Sequence, residues 1–221
     1  MNALHSYNEF NHRLHRTPLG LLPGVTTVLS NTADKGFVDR WRAKVGAEAA
    51  DLILAMAIDR GNNLHAYIES YFEGSKIIQQ CKYPENRVHL DRMIAVIKPY
   101  IEKIEPLHIE TPTWHSLGFG GSPDCVGLLD GKVTIFDWKN SLKPKKEDYV
   151  ADYYLQTAAY SLSVEYTLGI KPVQTRIAVA AIKGDGVILQ EFKIDEHELE
   201  MVQNAFVRRL QKYQARFPSQ F

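Results

Sequence analysis

The Asp130-Gly131 pair, set between the runs CVGLL and KVTIFDWK, constrains the fold more than any other feature of the chain. Asp-Gly favours a two-residue type I′ hairpin turn, because both central positions need positive φ, and such a turn fixes strand register. With Leu129 opposite Lys132, Leu128 faces Val133, Val126 faces Ile135 and Asp124 faces Asp137. These six side chains share one face, apolar near the turn and doubly acidic at its far end, where Lys139 also points. Like charges directly opposed across two strands repel, since their Cβ atoms are roughly 4.5–5.5 Å apart. A cation between them reverses that sign, and a hard divalent ion such as Mg²⁺ suits such oxygen ligands. An ion so placed can activate water and neutralise charge on a phosphoryl oxygen. Lys139, its pKa lowered by partial burial, would orient the water or stabilise the phosphorus centre. The competing reading is an Asp137–Lys139 salt bridge within one strand, with Asp124 solvated at the sheet rim.

Around this hairpin the pattern is helical first and extended later. Residues 21–30, LLPGVTTVLS, read as a short strand or the entry to a helix. Residues 35–72 are helical, with Phe37, Val38 and Trp41 at helical spacing and a break at Arg60 and Gly61 separating two helices. Residues 89–104 form another helix, bent or ended near Pro99. Then LHIETPTW, GSPDCVGLL and KVTIFDWK are extended, and residues 149–168 are helical up to Gly169. TRIAVAAIK and GVILQEFKI follow as strands joined at Gly184-Asp185-Gly186, and a last helix runs to about residue 217 from an Asp195 cap with Glu198 completing a capping box. That order predicts an α+β fold: a sheet of about five strands flanked by helices, in one domain over 1–221, mainly helical over 1–105 and sheet-based over 106–221.

Composition removes several function classes. The 26 basic and 26 acidic residues cancel, so a polyanion must be met by a local basic patch rather than a global field. No apolar run reaches the roughly 18 residues of a membrane span. Cys81 and Cys125 have no zinc-site spacing, which suits a reducing compartment, and the first twenty residues lack an apolar signal core. A cytoplasmic location, in a bacterial cell or phage-infected host, is expected; an organelle stays open.

Three short motifs occur in order: Gly61…His65…Glu69, then Pro123-Asp124 with Asp137-Trp138-Lys139, then Gln156…Tyr160. Together they resemble the PD-(D/E)xK nuclease superfamily and its RecB-type exonuclease branch. LLPGVTTVLS with Trp41 downstream further resembles the mitochondrial genome maintenance exonuclease group and its phage and bacterial relatives. The resemblance implies a restriction-endonuclease-like core with a mixed sheet and an N-terminal helical elaboration. It also implies an exonuclease dependent on Mg²⁺ or Mn²⁺, acting on DNA ends, with single strands the expected substrate, in replication, repair, recombination or phage DNA metabolism. By position, Asp124 and Asp137 would be metal carboxylates, the Trp138 carbonyl would complete the shell, and Lys139 would be the catalytic lysine. His65 would be a further ligand, with Glu69 supporting it or a second metal. Gln156 would hold the lysine or a substrate phosphate, with Tyr160 one turn later toward the DNA.

His65 and Glu69 are four apart, hence on one helix face, and Gln156 and Tyr160 repeat that spacing. Singly, the first pair is an ordinary surface pair and the second a packing face; one arrangement on the acidic end of the hairpin uses them all. Lys143, Lys145 and Lys146 are candidates to grip phosphates, or a solvated loop, and Arg40, Arg42 and Lys44 form a second basic cluster. A third lies at Arg208, Arg209, Lys212 and Arg216. Thr26 and Thr27 offer hydroxyls to phosphates, or are structural. Trp114, with His115, Phe119, Tyr153 and Tyr154, offers rings on which unpaired bases stack. An endonuclease of the same fold would need groove-reading elements that the sequence does not display. A non-catalytic nucleic-acid-binding protein would not need the full acidic and basic set, and a glycosidase fits a lysine-joined carboxylate pair poorly.

Overall fold

The computed structural model describes residues 5–7, 12–34, 36–75 and 80–218. Lys35, where the first helical run was expected to start, and the side chain of Phe37 lie outside the described part. The chain opens with β1 (His5–Tyr7), β2 (Arg13–Thr17) and β3 (Gly20–Pro23), which form a small antiparallel sheet in the order β1-β2-β3. Helices α1 (Val25–Thr32), α2 (Gly36–Val45), α3 (Ala47–Phe72) and α4 (Glu85–Ile101) follow. Residues 21–30 are therefore both things the sequence allowed: a strand end leading directly into a helix.

The second half contains β4 (Glu105–Ile109), β5 (Thr113–His115), β6 (Phe119–Gly121), β7 (Cys125–Leu129) and β8 (Lys132–Ser141). After these come α5 (Ala151–Leu168), β9 (Gln174–Lys183), β10 (Gly186–Ile194) and α6 (Glu196–Arg216). The main sheet runs β10-β9-β8-β7-β4. Its β8–β9 pair is parallel and the others antiparallel, so the sheet is mixed. A parallel pair needs a crossover, and α5 supplies it. The expected α+β architecture is the one observed.

The hairpin register is the one the Asp-Gly turn dictates: Leu129 pairs with Lys132, Leu128 with Val133, Val126 with Ile135 and Cys125 with Phe136. Asp130 and Gly131 have φ of 51° and 75°, as a type I′ turn requires. Alternation along these strands feeds two cores. Val126 and Ile135 pack against α1, α5 and α6 through Val28, Ala159, Val164 and Phe206. Cys125, Phe136 and Trp138 pack on the other face against α3 and α4 through Leu64, Ile68, Met93 and Ile97. Each fully buried Val, Leu, Ile, Met or Phe among them contributes roughly 1.5–3 kcal/mol. The sheet is thus clamped between helices, and Asp137 and Lys139 emerge on the α5 side.

Three local expectations change. The helix does not break at Arg60-Gly61; α3 is continuous for 26 residues. Gly61 is there for close approach, because a Cβ at that position would lie 2.8 Å from Asn140 Nδ2. The helix before β4 starts earlier and ends two residues after Pro99, whose ring needs only the preceding turn to adapt. Asp195 makes no side-chain cap for α6; its carboxylate is drawn instead to Lys193 at 2.8 Å and Arg176 at 3.3 Å. Gly169 does end α5 in the left-handed conformation, φ 67°. Among the described residues no helix is long and apolar enough to cross a membrane.

Candidate active site

β8 places Asp137 and Lys139 two residues apart on one face, and the ammonium lies 2.8 Å from Asp137 Oδ1 and 2.6 Å from Oδ2. Asp137 is completely buried, and the Lys139 ammonium is the cation that both of its oxygens face. Burial, with the Asp124 charge, raises the Asp137 pKa to about 6 against the pull of Lys139. For Lys139, burial alone would lower the pKa as expected from sequence, yet Asp137 and Asp124 outweigh it and the pKa is raised. The lysine is therefore a held cation rather than a base. Its Nζ also lies 5.3 Å from the centre of the Tyr153 ring.

Asp124 lies one residue outside the β7–β8 ladder, in a bend. Its Oδ2 accepts the Trp138 N–H at 2.7 Å, which turns Oδ1 toward α3. There His65 Nδ1 lies 3.5 Å from Asp124 Oδ1 and 4.0 Å from Glu110 Oε1. The other ring nitrogen, Nε2, lies 2.9 Å from the Trp138 carbonyl oxygen. Burial opposes a charged imidazole, but the nearby Asp124 and Glu110 carboxylates prevail and raise the His65 pKa to about 9. One ligand atom from each of His65, Glu110 and Asp124 fits within 4.8 Å of the others.

Glu110 is the functional candidate that sequence reading passed over. It follows β4 immediately, donates its N–H to the Asp124 carbonyl at 3.3 Å, and holds φ at 46°, a conformation uncommon outside glycine. The signal lay in pairing: Ile109 opposes Cys125, which sets Glu110 beside Asp124, but a register irregularity between Pro106 and His108 hides that alignment. Glu69, one turn beyond His65, has its pKa raised by burial and by the Glu110 and Glu73 charges. It stands at the edge of the cluster, facing Glu110.

His65, Glu69, Glu110, Asp124 and Lys139 open into a cavity of about 700 Å³, also lined by Gln156, Tyr160, Thr26 and Trp114. Gln156 lies one turn from Tyr160 on α5, and burial beside Asp124 and Asp137 keeps the Tyr160 phenol protonated. A second, more open cavity of about 610 Å³ meets the first at His65, Glu69, Glu110 and Lys139 and continues over Tyr153 and Ile58. Lys143, Lys145, Lys146 and Arg40 line neither cavity. Thr27 is buried and donates its hydroxyl to the Arg13 carbonyl, so it supports β2 from within. In the third basic cluster, Arg209 braces Thr32, Leu29 and Asp152 instead of facing outward.

Behind the cluster, a buried polar set ties α3 to β8. Arg60, 1% exposed, donates from Nε to Asn140 Oδ1 at 3.0 Å and from Nη1 to Asn86 Oδ1 at 2.8 Å. Asn140 in turn reaches the Ala57 carbonyl at 3.3 Å. His65 and Lys139, each next in chain or one turn from this set, are thereby held at a fixed separation.

The PD-(D/E)XK nuclease superfamily's sequence model matches residues 39–220. The chain belongs to that superfamily. Within it, mitochondrial genome maintenance exonuclease 1 of Mus musculus is 27% identical over 210 residues, covering 87% of this chain and 59% of its own length. The Homo sapiens protein of that name is 24% identical over 210 residues, covering 87% of this chain and 58% of its own. The chain thus spans under two thirds of these relatives. A solved structure from Eubacterium rectale aligns over 71% of this chain and 68% of its own at 20% identity, with a TM-score of 0.46. Asp124 and Lys139, two of the residues the sequence motifs single out, line the cavity, and Asp137 lies buried behind the lysine.

Proposed function

We propose that the protein is a divalent-metal-dependent exonuclease that hydrolyses phosphodiester bonds from ends of single-stranded DNA, in DNA replication, repair or recombination. The observation that carries this reading is the convergence of His65, Glu110 and Asp124 within 4.8 Å beside the Asp137–Lys139 pair. That donor set suits Mg²⁺ or Mn²⁺: hard carboxylate oxygens with one imidazole. The raised His65 pKa reflects the same surplus of negative field that a cation satisfies. Asp124, Glu110, His65 and Asp137 would hold the ion, with Glu69 at its margin. When bound, it supplies an activated water and neutralises charge on the scissile phosphate.

The chain's own groups do the rest. Lys139, kept protonated by Asp137, presents an ammonium to the phosphate oxygens or the attacking water and stabilises charge that grows at the transition state. Asp137 fixes where that ammonium sits. Gln156 and the protonated Tyr160 offer donors on the α5 wall, which can hold a non-bridging oxygen in line. A concave cavity of about 700 Å³ lies within the roughly 300–1,000 Å³ of sites that enclose one small ligand, so it suits a splayed strand rather than a duplex. Trp114 on its wall supplies a face for a base.

The test is digestion of end-labelled linear single strands against circular single strands, with Mg²⁺ or Mn²⁺. The proposal expects progressive shortening of the linear strand and survival of the circle. Discrete cuts in the circle would favour an endonuclease, and intact linear DNA with every metal would exclude a nuclease active as this chain.

A further inference from the structure

We infer that the small N-terminal sheet is a phosphate-gripping wall for the polynucleotide, built from Arg13, His15 and Arg16 on β2; the inference rests on the nuclease function proposed for the cavity. The residues lie outside 39–220, the part matched to the superfamily, so the shared nuclease core does not supply them. Yet β2 lines the same cavity as His65, Asp124 and Lys139.

Its placement has a traceable cause. β2 pairs with β3, and β3 leads through Gly24 into α1; Gly24 bridges to Gly120 next to Trp114, which anchors the small sheet over the mouth of the site. Gly24 lets the His15 ring lie close, since a Cβ there would stand 2.9 Å from His15 Nε2 and push the ring aside. Along β2 Leu14 is buried, Arg13 and Arg16 are exposed and His15 is half-buried, and all three polar residues line the cavity. Buried Thr27 bonds the Arg13 carbonyl and fixes β2 against α1, while exposed Thr26, in the first turn of α1, faces the cavity.

The chemistry of the cavity is then divided. One end carries Glu69, Glu110 and Asp124, which suit metal and the reacting phosphate; the other carries two arginines, an imidazole, a threonine hydroxyl and the Trp114 ring. Arginine and hydroxyl donors are the groups that position a nucleic-acid backbone, and an aromatic face accepts any base. A strand with its scissile phosphate at Lys139 would lay neighbouring phosphates on β2. This accounts for a chain of zero net charge holding a polyanion without using its Lys143, Lys145 and Lys146 run.

The test compares the full chain with Arg13→Glu/Arg16→Glu and with Arg208→Glu, an exposed arginine on α6 outside the cavity. Binding of a fluorescein-labelled single-stranded oligonucleotide is read by anisotropy in Ca²⁺ across a salt series. Hydrolysis of bis(p-nitrophenyl) phosphate, a diester without neighbouring phosphates, is read in Mn²⁺. The wall predicts at least tenfold weaker oligonucleotide binding by the double variant. It also predicts a log–log salt slope shallower by about 0.7 for each phosphate that the variant no longer neutralises, an unchanged rate on the small diester, and wild-type behaviour for Arg208→Glu. Binding within twofold of wild type, an equal loss in Arg208→Glu, or no binding by wild type would overturn the wall. Loss of nuclease activity with the binding pattern intact would instead overturn the catalytic reading alone.

Discussion

Replacing Glu110 by glycine should make the metal-free protein no less stable while removing its response to metal. At φ 46° a residue with a Cβ carries strain of roughly 1–2 kcal/mol, which glycine releases. Glycine adds unfolded-state freedom that costs about 0.4–1 kcal/mol, and losing the half-exposed attraction to His65 costs at most about 1. The balance is near zero, so the metal-free Tm should stay within roughly 2–4 °C of wild type, the shift that about 1 kcal/mol gives a chain of this size. With Mn²⁺ at 100 times its dissociation constant, wild type gains about 2.7 kcal/mol, or roughly 5–11 °C. Removing one of the four ligands should weaken binding by at least the roughly 10–100-fold seen when a supporting group is removed. At the 100-fold end, the gain falls to about 0.4 kcal/mol and roughly 1 °C. Thermal denaturation in chelator and in a Mn²⁺ series reads both numbers. A metal-free Tm many degrees lower, or a full Mn²⁺ shift in the variant, would refute the assignment of Glu110 to the ion.

Three further outcomes follow from the packing. Gly61→Ala should lower Tm by roughly 1–8 °C: helix propensity gives back about 1 kcal/mol, but dislodging Asn140 removes a charged hydrogen bond of Arg60, about 1.5–3 kcal/mol. A rise in Tm by calorimetry would mean that Asn140 moves aside without cost. Lys139→Met leaves the Asp137 carboxylate buried without its cation, so its folded pKa must rise further above the unfolded value. The folded state then binds more protons than the unfolded one, so stability in chelator should fall as pH rises from the unfolded carboxylate range upward. Denaturant midpoints at pH 5 and 8 check the sign; equal midpoints, each relative to wild type, would contradict it. Lys143→Ala/Lys146→Ala should leave single-strand degradation rates within about twofold, since neither lysine lines the cavity; a larger loss by gel assay would bring that loop into the substrate path.

How much of this was legible beforehand depended on whether the cause was local. The Asp130-Gly131 turn dictates its own dihedral angles, so the hairpin, its register and the shared face of Asp137 and Lys139 could be read directly. Gly169 likewise ends α5 by a local preference. Gly61 misled because a helical glycine signals either a break or a close approach, and only the position of Asn140 decides. Asp195 misled because Lys193 and Arg176, one from its own strand and one from β9, compete with the helix end for the carboxylate. Glu110 and the β2 arginines were invisible for a third reason: their roles come from strand pairings across an irregular register and a glycine bridge, neither of which leaves a periodic trace.

The most direct measurement is degradation of end-labelled single-stranded DNA with Mg²⁺ or Mn²⁺, by wild type and by Asp124→Asn side by side. The account predicts progressive shortening by wild type and none by the variant, while both bind the strand. Degradation by the variant at the wild-type rate, or none by wild type with either metal, would contradict it.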